Sequence, residues 1–200
     1  NASSFAIEPA QRDAWHGQIE TMRRTLSDWT PTGLVAFEFA VPRMGKRIDV
    51  LVVAGGVIFV LEFKVGETAF NADAVNQVWD YALDLKNFHS TSHAATIVPI
   101  LIATRAADIG VQAVIESDRD GVVRPLLASD TTLAGVMRSV AEWCRGSTID
   151  AGEWAKGNYK PTPTIIEAAM ALYGGHKVED ISRREAEALN LTKTSSTVEL

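Results

Sequence analysis

The chain has 200 residues, 46% of them hydrophobic and 22% charged, which is enough apolar material for a buried core and close to the globular average. That balance argues against a disordered chain, and no apolar run approaches the ~18 residues needed to cross a bilayer. The net charge of -6 disfavours non-specific binding of nucleic acid by the whole surface, while leaving room for a local basic patch.

In chain order, Trp15, Ile19, Met22 and Leu26 recur at three- and four-residue steps, which predicts a helix over Pro9 to Trp29. Thr30-Pro31-Thr32-Gly33 stops it. Three β-rich runs come next: Leu34–Val41, Arg47–Val53 and Val57–Val65. The Gly55-Gly56 pair between the last two is a hairpin signal. From Asn71 to His89 the stripe Val75, Val78, Ala82 and Leu85 predicts a second helix, widened by Trp79 and Leu83. Thr96–Ala103 reads as a strand covered on both faces despite Pro99, and Val122–Ala128 as another. Asp130 is placed to cap a helix over Leu133–Arg145. This order predicts an α/β fold, a mixed sheet flanked by helices.

Texture changes after Ser147. Residues 1–147 read as one domain and 148–200 as a small helical extension, with helices at Thr164–Tyr173 and Ser182–Leu189, the latter carrying a capping box in Ser182 and Glu185. The polar tail Thr192–Thr197 reads as a linker toward a further domain. The chain begins at Asn1, so its first residues read as a cloning remnant, and no signal peptide is recognised there. Cys144 stands alone, which leaves no disulfide framework or cysteine zinc site and points to a reducing, cytoplasmic setting. It falls in an apolar helical stripe, where packing is the expected role. His89 and His93 lack a third zinc ligand and read as a solvated helix end.

The chemistry concentrates in Arg47-Ile48-Asp49 and Glu62-Phe63-Lys64. If Gly55-Gly56 closes a two-residue hairpin, Asp49 faces Glu62 and Arg47 faces Lys64, with Glu62 and Lys64 on one face of the sheet. Two readings are open. The charges can form a solvated ladder, Asp49 with Lys64 and Glu62 with Arg47. Alternatively, two opposed carboxylates ~5 Å apart at Cβ can share a divalent cation. The neighbours Val50, Val52, Phe59 and Leu61 on one face, and Leu51, Val53, Ile58 and Val60 on the other, mark central buried strands where unpaired charge is expensive. The second reading is therefore favoured, with Mg²⁺ or Mn²⁺ as the cation.

Asp49 and then Glu62-Phe63-Lys64 on the adjacent strand resemble the PD-(D/E)XK nuclease superfamily, with Ile48 replacing the proline before Asp49. Gln77 and Tyr81, one helical turn apart, resemble the Gln-x-x-x-Tyr element of its RecB-like exonucleases. Phe37-Glu38, Pro42 to Asp49, Glu62 to Gly66, Asp80 to Leu85 and Tyr159 to Pro163 resemble the nuclease-like domain that precedes a helicase-like P-loop ATPase in bacterial proteins. The resemblance implies metal-dependent cleavage of nucleic acid, DNA ahead of RNA. Asp49 and Glu62 would hold metal, Lys64 would position the nucleophilic water, and Gln77 and Tyr81 would support it. Glu38, ahead of Glu20, would supply a third carboxylate. Arg43, Lys46 and Arg47 are candidates for phosphate contact. The partners implied are nucleic acid and the ATPase domain, with room for a homodimer and no membrane. No phosphate loop occurs here, so ATP hydrolysis is not expected of this chain. A nuclease-fold module that binds without cutting is the alternative.

Overall fold

The structure is a computed structural model that describes residues 9–29, 33–108, 115–118, 120–144 and 148–159. Five strands form a mixed sheet in the order β1 (Gly33–Val41), β2 (Lys46–Ala54), β3 (Val57–Lys64), β4 (Thr96–Ala103), β5 (Leu126–Ala128). The first three are antiparallel, whereas β4 and β5 run parallel to β3. The β-branched runs of β2 and β3 become central strands because both their faces are covered.

On one face Val50, Val52, Phe59, Leu61, Val98 and Ile100 meet Met22 of α1 (Pro9–Leu26) and Leu133, Met137 and Val140 of α3 (Leu133–Trp143). The other face is covered by α2 (Ala72–Phe88), which packs on β3 and β4. Asn71 caps α2 by accepting the Asp73 N–H through its side chain, satisfying a donor that the first turn otherwise strands. Among the described residues no helix is long and apolar enough to cross a membrane.

The hairpin between β2 and β3 has the predicted two-residue loop, with Ala54 paired to Val57 and Val50 to Leu61. Gly55 has φ 60° and Gly56 is not in the positive region, the pattern of a type II′ turn. A short 3₁₀ turn, Pro42–Met44, joins β1 to β2.

Several elements depart from the sequence reading. The strand expected over Val122–Ala128 is regular only from Leu126, with isolated bridges at Val122 and Val123. Pro125 lacks an N–H and breaks the ladder. Pro99 is tolerated in β4 for a related reason. Ile97 turns its N–H and C=O toward the β5 side, so Pro99 faces that side too, in the gap before Leu126. Asp130 does not cap α3: its carboxylate pairs with Arg24 at 2.9 Å. Thr132 is the N-cap residue, without a side-chain cap bond. The helix ends at Trp143 rather than Arg145.

Compact structure also continues past Ser147, as far as Gly157. A helix not expected there, α4 (Ala151–Ala155), packs on β1 and buries Trp154. The Trp154 indole donates to Ser92 Oγ at 2.9 Å and lies 4.7 Å from the His89 ring. His89 is thus buried, not solvated, whereas His93 is exposed. The helices expected at Thr164–Tyr173 and Ser182–Leu189 lie outside the described residues.

Candidate active site

Because β2 and β3 are antiparallel, the beginning of β2 and the end of β3 meet at one edge of the sheet. Continuing their register by one step sets Asp49 opposite Glu62. Pairing stops here because the Asp49 carboxylate, not a backbone carbonyl, accepts the Phe63 N–H at 2.8 Å. That bond fixes Asp49 against β3 and leaves Glu62 close enough to repel it.

Burial first, and the Glu62 charge second, raise the pKa of Asp49 from 3.8 to about 7. The Phe63 N–H and Lys64 oppose the rise without cancelling it. Glu62, with its side chain only 5% exposed, is also raised, chiefly by burial, against the hydrogen bond from Lys64. Among the described residues, Glu62 Oε2 is buried with no hydrogen-bond partner. An unsatisfied buried carboxylate oxygen is expensive.

Lys64 lies on the same face as Glu62. Its ammonium donates to Glu62 Oε1 at 2.9 Å and to Gln77 Oε1 at 3.3 Å. Lysine is a donor only, so it sets the orientation of the Gln77 amide, whose Nε2 then donates to the Tyr81 hydroxyl at 2.9 Å. Tyr81 is buried, and burial raises its pKa. Gln77 and Tyr81 thus form one hydrogen-bonded chain with Lys64 and Glu62, because α2 covers this face and presents them one turn apart. A shallow cleft of about 260 Å³ opens beside Lys64 and Gln77, walled by Glu67, Asn71 and Asp73.

The ladder pairing Asp49 with Lys64 and Glu62 with Arg47 does not form. Lys64 bonds its own-strand neighbour Glu62, and Arg47 lies 3.6 Å from Glu38. Glu38 falls opposite Asp49 in the β1–β2 register, between the pairs Phe37–Val50 and Phe39–Ile48. It is the one non-glycine described residue with positive φ, at 51°, a left-handed conformation that costs about 1–2 kcal/mol. Its charge is felt at both Asp49 and Glu62, while Glu20 is exposed on α1.

Glu38 Oε1 accepts the Trp15 indole N–H at 3.0 Å. The sequence places Trp15 only in a helical stripe, and nothing in the spacing signals this contact across 23 positions. Lys46 and Arg47 are exposed at the start of β2, and the Lys46 charge works to lower the Glu62 pKa. Arg43 belongs to the 3₁₀ turn; its side chain lies outside the described set.

The donor chemistry fits a hard divalent cation. Mg²⁺ is commonly held by one or two carboxylates, with water and phosphate oxygens completing its shell. Here Asp49 and the unpartnered Glu62 Oε2 are such a pair. Among the described residues no three histidine, cysteine or acidic side chains converge as a ready-made metal cluster. Compared with protein-family models, curated proteins and solved structures, the chain gives no match.

Proposed function

We propose that this chain hydrolyses phosphodiester bonds in nucleic acid, DNA ahead of RNA, as the nuclease domain of a larger helicase-like protein. One observation carries the reading. A buried glutamate has one oxygen on a lysine and the other on no partner among the described residues. Beside it stands a second acid that burial and repulsion keep protonated to near neutral pH. Asp49 and Glu62 would hold Mg²⁺ or Mn²⁺, and such a cation supplies an acidified water and charge neutralisation at the phosphoryl group. Lys64, fixed between Glu62 and Gln77, orients the attacking water and meets negative charge developing on the phosphate. Gln77 and Tyr81 keep its ammonium from swinging away, and the open cleft gives a strand access to it. Lys46, Arg47 and Arg43, at the same end of the sheet, are the phosphate-contacting candidates.

The test is cleavage of a mixed DNA and RNA panel with Mg²⁺, Mn²⁺ or EDTA. Cutting should require metal, and Lys64→Ala should slow it on the order of 10²–10³-fold, the usual loss when one charge-stabilising donor is removed. If Lys64→Ala and Glu62→Ala cut as fast as the parent, the activity belongs elsewhere. A second reading, a nuclease-fold module that binds without cutting, draws on the Glu62–Lys64 ion pair, which already offsets one acidic charge without metal. Titration calorimetry separates the two. Millimolar Mn²⁺ giving no heat favours the binding module.

A further inference from the structure

Three acidic residues stand level across three neighbouring strands, Glu38 on β1, Asp49 on β2 and Glu62 on β3. Two of them converge, and the third is held by other groups. The Glu38 carboxylate takes the Trp15 indole N–H through one oxygen and faces the Arg47 guanidinium through the other. These ties differ in character. The Arg47 side chain is 65% exposed, so its ion pair is solvated and weak. The Trp15 bond is a directed one from a different element, and it ties the first helix to the edge strand at the level of the carboxylate pair.

The backbone at Glu38 is also unusual. Its left-handed φ interrupts an otherwise regular antiparallel ladder, and such outliers persist only where surrounding contacts enforce them.

We infer that Trp15 is a positioning residue that holds Glu38 in reserve, and that filling the Asp49–Glu62 pair with a divalent cation draws Glu38 off the indole. The inference rests on the proposed metal site and adds a control to it. The cation's third carboxylate is available only at the cost of the Trp15 bond, so the identity of a residue on α1 sets metal affinity. Glu38 already acts electrostatically on both partners, and Glu62 Oε2 is a buried acceptor awaiting a partner. A divalent cation there would cancel the negative charge that Glu38 now meets at Asp49 and Glu62 and offer its carboxylate a bond to metal.

The test tracks the indole N–H signals of the full chain in ¹H–¹⁵N spectra during a Mg²⁺ titration, alongside calorimetry. One indole signal should move upfield as its hydrogen bond is lost, saturating with the calorimetric isotherm. It should stay fixed in Glu38→Gln, which keeps an acceptor for Trp15 but is a poor metal ligand. That comparison assigns the signal even where Trp15→Phe does not fold. A folded Trp15→Phe should bind Mg²⁺ about fivefold more tightly, or ~1 kcal/mol, the net worth of one hydrogen bond. If Mg²⁺ binds the parent with every indole signal unmoved, or Trp15→Phe binds it no more tightly, the latch is wrong and the site stands. If the parent gives no heat with Mg²⁺, the site reading falls and takes the latch with it.

Discussion

Asp49 is where residue-scale physics is most exposed. Its pKa is raised from 3.8 to about 7 by burial and by Glu62, so the folded state binds this proton more tightly than the unfolded chain does. The associated stability is therefore fully present below about pH 4 and is lost as pH rises through about 7. Glu62, also raised, acts in the same direction. His89 acts in the other: burial lowers its pKa from 6.5, so its contribution is lost as pH falls below that value. A comparison with Asp49→Asn isolates the first effect. In EDTA, the melting temperature of the parent should fall relative to Asp49→Asn between pH 5 and pH 8, by roughly several degrees, since about 1 kcal/mol shifts a domain of this size by a few degrees. Saturating Mg²⁺ should shrink the difference by replacing the proton with a cation. Parallel melting curves in EDTA would mean Asp49 ionises as freely as a surface carboxylate.

Among the elements, α4 has the largest effect for its size. It spans only Ala151–Ala155, too short to be stable alone. It is held by Asp150, whose side chain accepts the Glu153 N–H, and by Trp154, which is 2% exposed. The indole packs 5.7 Å from the Phe39 ring on β1 and 4.7 Å from His89 just past the end of α2, so one side chain joins strand, helix and loop. Trp154→Ala should cost about 3–5 kcal/mol, the usual loss for a buried aromatic, read from urea unfolding. A loss below about 1 kcal/mol would mean that α4 adds little to the fold. Gly157 is a close-approach position for the same reason: a side chain there would meet Thr91 and His89.

For the whole molecule, charge governs how a polyanion can approach. The net charge is -6, and the proposed site itself contains acids, so phosphates meet repulsion unless a cation intervenes. Binding of a fluorescent DNA oligonucleotide should therefore be weak in EDTA and strengthen by about tenfold or more in Ca²⁺, a divalent ion that can fill such a site, as read by anisotropy. The gain should be absent in Glu62→Ala. Equal affinity in EDTA and Ca²⁺ would place nucleic-acid contact away from the acidic pair. Salt should weaken the metal-dependent binding if the exposed Lys46 and Arg47 make the proposed phosphate contacts, since such contacts release counterions.

Local periodicity was enough to read the α/β class, the extent of β4, those of β2 and β3 to within one residue at each end, the Gly55-Gly56 register and the facing of Asp49 toward Glu62. These depend on alternation with period two, and α2 on its helical stripe, both of which are written along the chain. The joint placement of Gln77 and Tyr81 was equally readable, since one helical turn separates them. Tertiary structure alone decided which charges pair. Lys64 bonds Glu62 and Gln77, Arg47 turns to Glu38, and Asp130 leaves a helix cap for Arg24. Hydrogen bonds and ion pairs between distant segments depend on how elements dock, and side-chain period carries no record of that. Trp15 on Glu38 and Trp154 on His89 are the clearest cases: each looks like an apolar stripe or loop residue until the fold brings its partner within reach.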